Sequence, residues 1–136
     1  MTPREFLRSR ARENPPLRAA VVADARAAAR SLNGSTAPHV GWRAVWLVMC
    51  MIWQAVGFLG LMLCRVATRL RAMGVPAIST IFRRLALVVG QVHIGAPVIL
   101  EPGILLPHGQ VVVDGLVRVG AGAIIRPFVT IGLAEG

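Results

Sequence analysis

Lysine and tyrosine are absent from this 136-residue chain, and only six residues are acidic. All fifteen basic residues are therefore arginine, and the formal charge is +9. With no tyrosine, four phenylalanines and three tryptophans, the chain lacks the aromatic platform on which single-stranded nucleic acid stacks. Nucleic acid is not expected as a partner. Two cysteines are too few for a disulfide scaffold or a four-cysteine zinc site. His39, His93 and His108 have neither ligand spacing nor cysteine partners, so no metal is expected. No phosphate-loop glycine pattern occurs. No secretory signal is read, because the long apolar run begins late and no small-residue cleavage site follows it.

Apolar residues make up 55% of the chain, enough to bury a core. The two ends differ in composition. Residues 1–90 hold thirteen of the fifteen arginines and the long apolar run, whereas residues 91–136 hold most of the glycines and many β-branched residues. The division is read as N-terminal helices over 1–40, a long apolar helix and a basic amphipathic helix over 41–90, and a β segment over 91–136.

Thr2-Pro3-Arg4-Glu5 is a helix start: threonine caps, proline fits the first turn and Glu5 completes a capping box. Asn14-Pro15-Pro16 stops that helix. The alanine-rich stretch Leu17–Leu32 favours a second, ended by a loop over 33–38. Residues 41–73 contain no proline and stop at Gly74. Within them, Ala44–Cys64 has Gln54 as its only polar side chain, and at 1.5 Å per residue it is about 31 Å long, close to the hydrocarbon thickness of a bilayer. It reads either as a membrane helix through 44–64 or as a helix buried in a core or subunit interface. Cys50 and Cys64 lie in it about 21 Å apart along the axis, too far to bond. Pro76 opens a further helix, on which Ile78, Ile81, Phe82, Leu85 and Val88 share one face, with Arg83 and Arg84 off it. The arginine bias could serve anionic lipid or nucleic acid, but more often such arginines form a solvated helix face, which is the reading preferred.

From Ile94 onward the chain repeats every six residues. Ile94, Leu100, Leu106 and Val112 lead; after one extra residue the series resumes at Val119, Ile125 and Ile131. This period fits a three-sided solenoid of short strands, eighteen residues per coil, in which Ile94 stacks beneath Val112. Glycines and Pro97, Pro102, Pro107 and Pro127 suit its corners.

The segment from about Arg69 to Gly136 resembles the hexapeptide-repeat acyltransferases, nearest the serine acetyltransferase group and relatives that acetylate sugars and polymers. The resemblance rests on Val92-His93-Ile94-Gly95, on Gly103-Ile104-Leu105-Leu106-Pro107-His108, on Val111-Val112-Val113, and on Val119-Gly120 through Val129-Thr130-Ile131-Gly132. It implies an α+β chain of N-terminal helices followed by a short left-handed parallel β-helix. It also implies O-acetyl transfer from acetyl-CoA to a hydroxyl of serine or another small or sugar acceptor, in a homotrimer with active sites between subunits.

By that resemblance His108 is the general base, since an imidazole can accept a proton near neutral pH and return it to the leaving thiolate. Where the group has an orienting acid fifteen residues earlier, this chain has His93. Where it has an acid just before the histidine, this chain has Pro107. Glu101 and Asp114 are the carboxylates left nearby as orienting partners. Thr130 and Gly132 correspond to positions near the coenzyme path. Ile94–Gly136 amounts to about 2.4 coils, so the segment reads as part of a longer enzyme or as one covered in an oligomer. The alternative function is a non-catalytic, membrane-associated or oligomerising piece of such an enzyme. The location expected is cytoplasmic, with membrane contact through 44–64.

Overall fold

The capping box at Thr2 forms: its side-chain oxygen accepts from the Glu5 amide at 3.2 Å, and the Glu5 carboxylate accepts from the Thr2 amide at 2.6 Å. The computed structural model describes residues 1–34 and 41–132. Among these, helix α1 runs Pro3–Arg12, α2 Leu17–Asn33, α3 Trp42–Gln54, α4 Val56–Ala72 and α5 Pro76–Gly90. Helix α2 ends at Gly34, whose φ of 63° is the left-handed conformation of a glycine stop. Most of the loop expected over 33–38 lies outside the described residues.

The single helix expected across Ala44–Cys64 does not form. Ala55 is extended, with φ −119° and ψ 99°, and α3 and α4 bend by 119° across it. Among the described residues no single helix is long and apolar enough to cross a membrane. The bend lets α4 begin against the β segment. A side chain at Gly57 would collide with the backbone carbonyls of Leu106 and His108, the latter 2.9 Å away. One at Gly60 would meet Val92.

Helix α5 packs along α4 by its small residues. Ser79, Ala86 and Gly90 are buried, and the Ser79 hydroxyl donates to the Ala67 carbonyl at 2.7 Å. Ile78, Ile81, Leu85 and Val88 therefore turn outward, Val88 being 77% exposed, and only Phe82 of the apolar face is half-buried.

The strands are β1 Val92–Ile94, β2 Ile99–Leu100, β3 Val111–Val113, β4 Arg118–Val119 and β5 Thr130–Ile131. They form two separate parallel sheets, β1-β3-β5 and β2-β4, beside an isolated parallel bridge between Leu105 and Ile124. The expected hexapeptide-repeat solenoid, a left-handed β-helix, is thereby corrected: the chain is mostly helical, and its strands are two or three residues long in small sheets. A solenoid buries its core by stacking repeat on repeat. Here Leu61, Cys64 and Ala86 of the helices share the core with Val92, Ile94, Leu100, Leu106, Val111 and Val113. The register also differs. Ile94 pairs with Val113, not Val112, and Val112 is 38% exposed while Val113 is fully buried. The extra residue thus falls before Val113, in the loop where Gln110 takes a left-handed φ of 63°.

Candidate functional site

His108 lies on the loop between Leu106 and β3, and its side chain is exposed. The loop backbone is fixed from both sides. Gly57 of α4 packs on the Leu106 and His108 carbonyls, and Gly109 packs on the Gly90 carbonyl. Neither expected carboxylate orients the imidazole. Glu101 accepts from Arg118 at 2.6 Å, and Asp114 accepts from the Gly115 amide at 2.8 Å. His93 sits half-buried in the middle of β1, in register with Val112, which in turn is in register with Thr130 of β5. Thr130 and Gly132 are exposed. The structure thus lines up His93 and Thr130 across one sheet but gives His108 no acidic partner among the described residues.

A polar centre that the sequence reading missed joins the helices to the strands. Asp24 of α2 and Arg65 of α4 are buried and paired through two nitrogens; Arg65 Nη2 donates to Asp24 Oδ1 at 3.0 Å, and Nε donates to Oδ2. Arg65 also donates to the carbonyls of Leu100 at 3.0 Å and Glu101 at 2.8 Å. Asp24 accepts the amides of Gly103 at 3.0 Å and Ile104 at 2.9 Å. Burial pushes the Asp24 carboxyl above its ordinary value, against the pull of Arg65 and the two amides. Each group is satisfied from several directions, as a buried ion pair requires. The signal was present: Asp24 is the only acid in the alanine-rich helix.

Helix α3 is apolar on opposite sides. Ala44, Leu47 and Met51 face inward, against a core that includes Ala25, Ala28 and Phe58. Trp42, Val45, Trp46, Met49 and Trp53, spaced by three and four residues, face outward. Trp42 is 73% exposed, Trp46 66% and Trp53 90%. All three tryptophans of the protein therefore lie on one outer stripe, beside exposed Arg43.

Among the described residues, no three His, Cys, Asp or Glu side chains converge as a metal-binding group. Comparison of the chain with protein-family models, with curated proteins and with solved structures finds no match.

Proposed function

We propose that the protein works at a membrane surface, held there by the outer stripe of α3. One observation carries the reading: three tryptophans, a valine and a methionine stand exposed on a helix whose other side is already buried in the core. Contiguous apolar surface of this kind marks an interaction site. Tryptophan favours the bilayer interface, where its ring is buried and its N–H stays hydrated. Thirteen residues make a helix of about 20 Å, suited to lying in the interface plane. The surplus of arginines adds attraction to anionic lipid, about 1 kcal/mol for each one near the surface, and this favours the anionic cytoplasmic leaflet. The test is flotation with vesicles. The protein is expected to float with phosphatidylcholine vesicles containing one third phosphatidylglycerol, and the variant Trp42→Ser/Trp46→Ser/Trp53→Ser to remain at the bottom with an unchanged circular dichroism spectrum. Equal flotation of the two proteins would overturn the reading.

A second reading, O-acetyl transfer from acetyl-CoA to a hydroxyl, is supported by the exposure of His108 on a loop fixed by α4 and α5. In that reaction the His108 imidazole takes the proton of the acceptor hydroxyl as its oxygen attacks the thioester carbonyl. The carbon–sulfur bond breaks, and the proton passes to the departing thiolate. Exposed Thr130 and Gly132 would flank the coenzyme, and an orienting acid would come from a second copy, as in a trimer. Release of free thiol from acetyl-CoA, dependent on added serine or sugar and lost in His108→Ala, is the expected result. Turnover that survives this substitution would overturn the role of His108.

A further inference from the structure

Two cavities adjoin at the first turn of α2, and their chemistry is opposite. The larger, about 620 Å³, lies between the α1–α2 connection and α4. Arg12, Arg18, Arg65 and Arg69 line it with Asn14, and among the described residues no carboxylate does. Arg65 is consumed by Asp24 and two carbonyls. Arg12, Arg18 and Arg69 are exposed at the rim, and no hydrogen bond or ion pair engages their guanidinium groups among the described residues. The seventeen-residue α2 opens on the same cavity. Its N-cap is Pro16, which supplies no side-chain acceptor, and its first turn holds no acid. The positive end of the helix dipole therefore adds to the three guanidiniums.

The smaller cavity, about 340 Å³, is an apolar groove between α2, α3 and α4. Val21, Val45, Val48, Met49 and Met62 line it, and among the described residues Arg18 is the only charged one on its wall. Leu17 and Arg18 border both cavities. Val45 and Met49 belong at once to this groove and to the exposed stripe of α3. The groove therefore opens where the membrane-facing surface begins.

We infer that the two cavities together bind one lipid carrying a phosphomonoester head, with the phosphate among Arg12, Arg18 and Arg69 and the chain in the groove between α2 and α3. Charge complementarity selects the head. Arginine forks match phosphate oxygens in pairs, and three of them beside a helix N-terminus suit a group carrying close to two negative charges better than a singly charged diester. The shared border of the groove and the arginine cavity at Leu17 and Arg18 selects an amphiphile over a free anion. The inference rests on the membrane reading only for the source of the lipid, so its test uses no bilayer.

The full chain is titrated calorimetrically with dodecyl phosphate below its micelle concentration, with inorganic phosphate, and with the uncharged detergent dodecyl maltoside. Dodecyl phosphate is expected to bind at least tenfold more tightly than either of the others. Arg18→Ala and Arg69→Ala, which remove exposed side chains that have no partner among the described residues, are each expected to weaken it about tenfold, as loss of a charge-assisted pair does. Inorganic phosphate binding as well as dodecyl phosphate would show a free-anion site and overturn the lipid. Equal binding of dodecyl phosphate by wild type and both variants would overturn the site. Failure of the tryptophan variant to change flotation, with dodecyl phosphate binding intact, would remove the membrane reading and leave the lipid site standing.

Discussion

Helices α3 and α4 share one proline-free stretch whose apolar part runs from Ala44 to Cys64, yet they end in different surroundings. Helix α4 is buried along most of its length, with Phe58, Leu61, Cys64, Arg65, Ala67, Thr68 and Ala72 all out of solvent. Helix α3 buries three residues and leaves its tryptophans outside. Side-chain size explains the contrast better than hydropathy does. Glycines at 57 and 60 let the backbone of α4 approach the loop before β3 and strand β1. Tryptophans at 42, 46 and 53 keep anything so close away from the outer side of α3. Apolar length therefore marks both segments alike, while the small residues mark which one enters the core.

The largest test of this contrast removes the polar link that only α4 makes. Arg65→Met leaves Asp24 buried with no cation, and a loss of about 3–5 kcal/mol in unfolding free energy is expected. Adding Asp24→Asn removes the stranded charge while keeping an acceptor for the Gly103 and Ile104 amides, so part of the loss returns. Urea denaturation of wild type, single and double variants measures both steps. A double variant no more stable than the single one would show that the carbonyl contacts to Leu100 and Glu101, and not the charge pair, hold α4 to the strands.

Next in size is Gly57→Ala. The added methyl meets backbone oxygens that cannot rotate away, so the start of α4 must shift. Overpacking of this kind costs about 1–3 kcal/mol. The matching change on α3, Met49→Ala on its exposed side, is expected to alter stability by less than about 0.5 kcal/mol. Equal losses in the two variants would mean that α3 is packed as closely as α4.

These contacts also show what was legible in the sequence. Chemistry contained within one turn could be read: the Thr2–Glu5 box, the stops at Gly34 and Gly74, and Pro76 at the head of α5. Features settled by distant partners could not. The break at Ala55 comes two residues before Gly57, whose close contacts are Leu106 and His108, some fifty residues away. The pairing of Asp24 with Arg65 spans 41 positions. Spacing alone placed Ile78, Ile81, Leu85 and Val88 on one face of α5, but the close approach of Gly60 and Gly90 decided which face turned inward. In the β segment, regular aliphatic spacing suggested a solenoid, while the space beside the strands is filled by Leu61, Cys64 and Ala86. The expected acids failed His108 for a similar reason, since Glu101 is taken by Arg118 and Asp114 by a local amide.

Cys64 gives a pH-dependent version of the same comparison. Burial pushes its thiol up to about 11. An unfolded thiol titrates near 8.5. The folded value is the higher one, so the contribution of the protonated thiol to stability is complete below the unfolded value and is lost as pH rises toward the folded value. From pH 8.5 to 9.5 the loss is expected to be about 1 kcal/mol. Cys64→Ala should remove that slope, whatever its constant cost in packing. A slope unchanged in the variant would place the titrating group elsewhere.

The smallest effect on stability, and the sharpest separation of the two helices, is expected from Trp46→Ser. The side chain is 66% exposed and belongs to the outer stripe of α3, so its loss should change the unfolding free energy by no more than about 0.5 kcal/mol. The same substitution removes one of three interfacial anchors, so the fraction of protein floating with anionic vesicles should fall while the midpoint of urea denaturation stays in place. A stripe covered by another copy of the chain behaves differently. Trp46→Ser would then lower the apparent molecular mass in sedimentation equilibrium without vesicles, and denaturation would become dependent on protein concentration. The same single side chain thus distinguishes lipid from protein as the neighbour of α3, because only a folded neighbour shares in the cooperativity of unfolding.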